Sequence, residues 1–546
     1  MELIDFLRKE SDDRRSSKVL AASCLAGLAD GLLVIIISSA AQDHAALNVR
    51  YLFMFILGIA IQVLTRKYSL NETAITARTA ISKTHIRIAD KVRRANLLAF
   101  EDIGKSRIYT TLTENSELIF EASRRVASFL TYAIMTVFSF LYIAYLSVTA
   151  FWLSLIVIVS GSLVYAYNER SISKELHLSM RKESEFLDSL NHVLEGFKEL
   201  KMNKGKSDDL FQNYLKVISA GAREVRLKTE LSFISNTIFA SFFIFALLGA
   251  VVFLLPQIAE APPRLIISVV AVLLFVMGPL GFLVDAAPVI MKGNMAVAKL
   301  NELENILDPV DDTKDTLVEG PLQRKDDFAR IAMERVVFSY KAPDEQAVFS
   351  LGPLDLTIHK GEVLFIVGGN GSGKTTLIKL LAGLYYPQGG LISFDDIPVN
   401  AHNYEYYRRF YSIIFMDFHL FDRLYGLEKI DEDKLNRLLQ AMELSDKIAY
   451  REGKWSAINL STGQRKRLAL IVALLEDRPL YIFDEVAADQ DPIFRKHFYE
   501  QILKELKAQG KTIIAVTHDD RYFHVADRVL KMEYGKIVDE VKNPVR

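Results

Sequence analysis

The run Gly368-Gly-Asn-Gly-Ser-Gly-Lys374-Thr375 sets glycines, a lysine and a hydroxyl at the spacing G-x-x-x-x-G-K-[ST]. That combination suits phosphate binding. Glycines let successive backbone N–H groups turn inward around phosphate oxygens, and the positive end of a following helix adds to the attraction. Gly368, Gly369, Asn370, Gly371, Ser372 and Gly373 therefore read as the cradle, with Lys374 reaching the terminal phosphates and Thr375 offering its hydroxyl to Mg2+. A chance glycine-rich turn would lack the flanks this one has. Glu362-Val-Leu-Phe-Ile-Val367 precedes it as a buried strand and Thr376-Leu-Ile-Lys-Leu-Leu-Ala follows as a helix, the context the motif requires.

A second group lies 110 residues beyond Lys374, where Leu480-Tyr-Ile-Phe-Asp484-Glu485 is an apolar strand closing on two carboxylates. Burying the strand sets Asp484 at its mouth, where it can hold Mg2+ through water. Glu485, one residue on, can polarise an attacking water. Alone, such a pair is usually a solvated turn; its place downstream of a phosphate loop gives it a task. Between the two groups, Leu460-Ser461-Thr462-Gly463-Gln464 opens the helical run Arg465-Lys-Arg-Leu-Ala-Leu-Ile-Val-Ala, which by itself is ordinary N-terminal helix capping.

Taken in chain order, these segments resemble the ATP-binding cassette of ABC proteins, whose signature usually reads Leu-Ser-Gly-Gly-Gln. Ala488-Asp489-Gln490-Asp491 and Thr517-His518, after Lys511-Thr-Ile-Ile-Ala-Val516, complete the cassette order. The resemblance implies ATP and Mg2+ as the bound species. It implies that Tyr340, in Val337-Phe-Ser-Tyr340, stacks on adenine, that Thr376 joins the nucleotide-binding set, and that His518 contacts the γ-phosphate. A packed strand aromatic and a structural histidine are the plainer roles for Tyr340 and His518. It further implies that Ser461, Thr462, Gly463 and Gln464 face the nucleotide of the opposite subunit, so one cassette per chain means a homodimer with two composite ATP sites.

Two departures narrow the resemblance. Aligned on Leu420-Phe421, Met416 occupies the position where the family usually has a metal-facing glutamine, so that contact is either lost or taken by the neighbouring Asp417. If Asp417 takes it, Met416 is a packing residue. General multidrug exporters carry a Gly-Glu-Arg-Gly-like segment where this chain reads Gly453-Lys-Trp455-Ser-Ala-Ile-Asn. With Phe197-Lys-Glu-Leu-Lys201-Met-Asn and the signature continuing to Arg467, the chain resembles bacterial exporters of cyclic or modified peptides and peptide siderophores, such as the pyoverdine-precursor and syringomycin exporters.

What must position this chemistry is visible in the composition. The 546 residues are 50% hydrophobic yet 24% charged, with 66 Lys+Arg against 67 Asp+Glu and a single cysteine, Cys24. A net charge of −1 gives no global field for nucleic acid, and one cysteine leaves no intrachain disulfide framework and no Cys-based metal site. The apolar residues are gathered in six stretches before residue 292: Val19–Ala41, Tyr51–Thr65, Val126–Ser147, Thr149–Tyr167, Phe233–Leu255 and Leu265–Ile290. About 20 apolar residues cross a bilayer as helix; the second stretch, at 15, is short. The third and fourth allow only a tight turn near Ser147–Ala150. The first exceeds a secretory h-region and is read as retained.

Arg66–Arg125 and Asn168–Leu231 carry twelve Lys or Arg each, against one each in Gln42–Arg50 and Pro256–Arg264. The basic segments are therefore cytoplasmic, with both termini on that side. Their charge and apolar spacing predicts helices continuing beyond the bilayer, notably Asn71–Arg94 and Ile172–Val193. Met1–Arg15, with Leu3, Ile4, Phe6 and Leu7, suits an amphipathic helix lying at the interface, with a frayed terminus as the alternative. Polar, punctuated sequence from Asn301 to Arg330 reads as a linker, and strand-like and helix-like runs alternate after it.

The expected architecture is a six-helix exporter-like membrane domain over residues 1–300, a linker over 301–330 and an α/β P-loop cassette over 331–546. The expected activity is ATP-driven export of a peptide-like metabolite, a cyclic or modified peptide or a siderophore precursor, by alternating access across the bacterial inner membrane, with the ATPase cytoplasmic and membrane lipid around the spans. A lipid or multidrug exporter with the same engine is the alternative. An ATP-gated channel or regulatory subunit is the third, disfavoured by intact Glu485 and His518. Importers usually keep membrane and ATPase parts on separate chains. Asp30 and Asp285, inside apolar runs, are candidates for a polar cavity or for helix packing, and Gly278-Pro279 is a candidate bend or static kink.

Overall fold

Six helices among the described residues are long and apolar enough to cross a membrane: Ser17–Ala40, Val49–Arg94, Lys105–Leu146, Val148–Asn168, Lys204–Ala259 and Pro263–Leu307. The computed structural model describes residues 2–10, 13–42, 49–259, 261–307, 322, 325–341, 347–427 and 429–542. The chain divides into one unit of Met1–Arg94 with Ile103–Asp308 and a second of Ala95–Asp102 with Pro309–Arg546. Most of the expected linker, 308–321 and 323–324, lies outside the described residues. Its first residues, 301–307, complete the helix Pro263–Leu307, because Leu300, Leu303 and Leu307 are buried at helical spacing.

In the first unit, apolar stretches and charged continuations form single helices. Val49–Arg94 has 46 residues, a length of about 70 Å at 1.5 Å per residue, more than twice the hydrocarbon thickness. The short second stretch is thus the apolar part of a much longer helix. Lys105–Leu146 gives way to Val148–Glu195 at one extended residue, Ser147, whose side chain accepts from the Ala150 N–H at 3.2 Å. Pro279 and Pro288 lie within Pro263–Leu307, and the helix runs through both without a break. Close packing uses small residues: a Cβ on Gly293 would lie 2.3 Å from the Ala122 Cβ.

The N-terminal helix Glu2–Glu10 differs from the interfacial expectation. Leu3 and Phe6 are buried in the protein, the Leu3 N–H donates to Asn294 Oδ1 at 2.9 Å, and buried Glu10 pairs with Arg87 at 2.6 Å. An amphipathic face matches protein as well as lipid, and here the nearby helices supply both the apolar seat and the counter-charge. Asp30 hydrogen-bonds to Gln62 beside Arg66, a helix-packing arrangement, whereas exposed Asp285 accepts from Thr237 at 3.5 Å.

The second unit carries a six-stranded sheet in the order Lys536–Lys542, Arg528–Glu533, Val363–Gly368, Thr512–Val516, Leu480–Asp484 and Tyr411–Ile414. The last five run parallel. Strands covered on both faces read as continuous apolar runs, and every residue of Leu480–Asp484 and Thr512–Val516 is buried. A second, antiparallel sheet orders Ala347–His359, Arg330–Lys341, Gly389–Phe394 and Ile397–Pro398.

Candidate nucleotide-binding site

Four neighbouring parallel strands deliver the catalytic candidates at their carboxyl ends, where open α/β sheets bind ligands. Val363–Gly368 leads into the phosphate loop, Thr512–Val516 into His518, Leu480–Asp484 into Glu485, and Tyr411–Ile414 into Met416 and Asp417. The Glu485 N–H donates to the Val516 carbonyl and the Thr517 N–H to the Ile366 carbonyl, both at 3.2 Å, so the ladder holds three of the exits together.

The phosphate loop is closed by backbone that side chains would not permit. Gly368 has φ +153°, and a Cβ there would lie 2.2 Å from the Met532 carbonyl oxygen. Lys374 opens the helix Lys374–Leu381, and its buried ammonium donates to the carbonyls of Gly368 at 2.8 Å and Gly369 at 3.0 Å. Burial pulls the Lys374 pKa down, opposed by the charges of Glu485 and Asp484. Thr375 is exposed beside it, whereas Thr376 is buried. Half-buried Tyr340 sits edge-on to Phe338 at 5.1 Å.

Asp484 is 2% exposed, and its Oδ2 has no hydrogen-bond partner. Burial raises its pKa above the usual carboxylate range and the Glu485 charge adds to this, while the Met416 N–H and Lys374 oppose it. An unpartnered buried carboxylate oxygen is costly unless a cation meets it. Hard oxygen donors suit Mg2+, which takes one or two carboxylates and completes its shell with water and phosphate. No group of three His, Cys, Asp or Glu side chains able to hold a metal occurs among the described residues. The donor set of Asp484 and Thr375 therefore fits Mg2+.

Glu485 adopts φ +53°, a left-handed conformation that a non-glycine residue holds at a cost, and its carboxylate lies 3.2 Å from His518 Nε2. The structure thus brings these two residues together. Asp417 is exposed, and its charge is among those pushing the Asp484 pKa up. Met416 is 62% exposed, so its side chain does not pack as expected; its backbone N–H is what bears on Asp484, opposing the rise in that carboxyl's pKa.

The Ser461 turn stands apart. Ser461 caps the helix Thr462–Glu476 in a capping box with Gln464, the two bonds measuring 3.4 and 3.3 Å. Ser461, Gly463 and Gln464 line a 550 Å³ cavity with Asp489 and Asp491, and no phosphate-loop residue lines it. Sequence reasoning gave no role to Lys466. Its buried ammonium donates to the Glu485 carbonyl at 2.8 Å and pairs with Asp489 at 2.7 Å, tying the signature helix to the acidic strand's exit. The signal was present: Lys466 shares the helix face of buried Ala469, Leu470 and Ala473. Arg467 similarly binds Gln490 and Asp491.

Known proteins match this arrangement. The family profile described as ABC transporter matches residues 351–488. The ATP-binding protein SyrD of Pseudomonas syringae pv. syringae is 32% identical over 531 residues, covering 96% of this chain and 94% of that protein. An ATP-dependent lipid A-core flippase of Burkholderia orbicola is 29% identical over 287 residues, 50% of this chain and 46% of the flippase. The solved structure of a bacterial Atm1-family ABC exporter with ATP bound superposes with a TM-score of 0.75 at 17% identity, covering 97% of this chain and 96% of that one; at that identity it speaks for the fold. From these matches and the site geometry, the chain belongs to the ABC transporter family, as a SyrD-like exporter in which a six-helix membrane domain precedes a cassette that hydrolyses ATP to drive transport.

Proposed function

We propose that two copies of this chain form an exporter that moves a peptide-like metabolite, a cyclic or modified peptide or a siderophore precursor, from the cytoplasm across the bacterial inner membrane. The observation that carries the cargo class is similarity to SyrD along nearly the whole chain, membrane half included. The similarity to the flippase spans only half of it. The departures at Met416 and Gly453–Trp455 support the same subfamily. The basic segments Arg66–Arg125 and Asn168–Leu231 favour a cytoplasmic cassette.

In this reading, Gly368–Gly373 and Lys374 hold the phosphates and Tyr340 meets adenine. Thr375 and Asp484 would hold Mg2+, which when bound neutralises charge on the transferring phosphate. Glu485 orients the attacking water and takes its proton, while His518 steadies the Glu485 carboxylate and faces the γ-phosphate. The cavity beside Ser461, lined by no phosphate-loop residue, supports a site completed by the second copy's signature turn. Asp417, whose charge acts on Asp484, would help hold the same ion. Asp417→Asn keeps shape and an oxygen but removes charge, so the Mg2+ concentration for half-maximal hydrolysis should rise by about tenfold, the scale of outer-shell substitutions. A titration that overlays the parent would leave Asp417 as a turn residue.

The cargo class is tested by ATPase stimulation in nanodiscs against cyclic peptides, siderophore precursors and phospholipids. Saturable stimulation by a peptide probe and none by added lipid is expected. Stimulation by lipid alone would replace this reading with the flippase one.

A further inference from the structure

Between the helices Val49–Arg94 and Lys105–Leu146, the chain makes the short helix Leu97–Ile103. Residues 95–102 of that connection belong to the second unit, where Leu97 and Leu98 pack against an apolar cluster containing Tyr385. Glu101 makes more specific contacts. One carboxylate oxygen accepts from Lys379 Nζ at 2.8 Å, and the other accepts from the Tyr385 hydroxyl at 2.6 Å. The Tyr385 ring is 1% exposed and stacks on Phe338 at 4.9 Å. Its hydroxyl lies 3.3 Å from that of Tyr340, which lies 3.3 Å from Thr376 Oγ1.

The protons give this chain of contacts a direction. A phenol or aliphatic hydroxyl has one proton to donate. Burial, with Glu101 adding to it, pushes the Tyr385 phenol well above its usual range, so it stays protonated. Its short contact to a carboxylate takes that proton, since a charge-assisted bond is stronger than a neutral one. The Tyr385 oxygen is left to accept, from Lys379 Nζ at 3.1 Å and from the Tyr340 hydroxyl, and Thr376 in turn donates to Tyr340. The relay runs from Thr376, two residues past Lys374, to a carboxylate borne on the connection between two membrane-unit helices.

We infer that Glu101 is a positioning residue for ATP, which sets the orientation of Tyr340 through Tyr385. This rests on the adenine role of Tyr340 proposed above. An adenine seated on Tyr340 favours the ring orientation that the relay holds. ATP occupancy and the Glu101 contact are therefore linked, and linkage acts in both directions.

The test uses the full-length protein in nanodiscs, with Glu101→Gln, Tyr385→Phe and the double variant, read by KM and kcat for ATP and by affinity for inorganic tripolyphosphate. Loss of one relay bond should raise the ATP KM by about three- to tenfold with kcat little changed. Tripolyphosphate, which lacks adenine, should bind as to the parent, and the double variant should be no worse than either single one. Weakening of both ligands alike, or additive effects, would mark a general structural defect and overturn the inference. Tyr340→Ala separates the two levels. If it discriminates ATP from tripolyphosphate as the parent does, the adenine role fails and the inference with it. If it loses discrimination while Glu101→Gln and Tyr385→Phe keep the parental ATP KM, the inference alone is overturned.

Discussion

Glu485→Gln is expected to bind ATP with near-native affinity and to hydrolyse it about 100- to 10,000-fold more slowly, the range over which a general base contributes. The amide keeps the length of the side chain and can still meet His518 Nε2, which lies 3.2 Å from the carboxylate. It cannot take a proton from water. The backbone that fixes residue 485 is untouched, since its N–H bonds to Val516 and its carbonyl accepts from Lys466. The glycine cradle and Lys374 are on a different strand exit and stay as they are. Lys374→Ala makes the complementary case: it removes a buried ammonium from the loop, so binding itself should weaken. Equilibrium binding of a fluorescent ATP analogue beside single-turnover hydrolysis distinguishes the two. Hydrolysis by Glu485→Gln within a few-fold of the parent would remove Glu485 from the base role.

How much of this was legible beforehand depends on whether a residue's role is local. The phosphate loop and the acidic strand declare themselves because strand, turn and helix are specified by the residues beside them. Ser147 was legible for the same reason, because two apolar stretches meeting without a gap leave room for one tight turn. Roles set by tertiary partners were hidden. Leu3 and Phe6 form an amphipathic face that does not say whether protein or lipid will cover it, and the answer came from Gly293, Asn294 and Arg87, far along the chain. Met416 reads as an apolar residue due for burial, yet its side chain is exposed and its backbone N–H is what bears on the Asp484 carboxyl. Lys466 could have been found from its phase on the helix, but its acceptor, a backbone carbonyl, carries no side-chain signature. Glu101 and Tyr385 are 284 residues apart, and nothing local to either points to the other.

The central claim is that hydrolysis happens at sites built from one copy's phosphate loop and the other copy's signature turn. Within one chain, the cavity beside Ser461 has no phosphate-loop lining, so two defects placed on different subunits should complement. Ser461→Arg blocks the signature with bulk and charge, and Lys374→Ala disables the phosphate loop. Each homodimer then has two broken sites. A mixed dimer has one site broken twice and one with both halves intact. Random mixing in a twofold-symmetric dimer gives about half mixed dimers, each with one working site, hence about a quarter of parental ATPase activity if sites act independently. The most direct measurement is ATPase activity of the two variants purified separately, then as a co-expressed mixture in nanodiscs. Activity absent from either variant alone and present in the mixture is the predicted result. No recovery in verified mixed dimers, or full activity from an isolated monomer, would contradict the composite site.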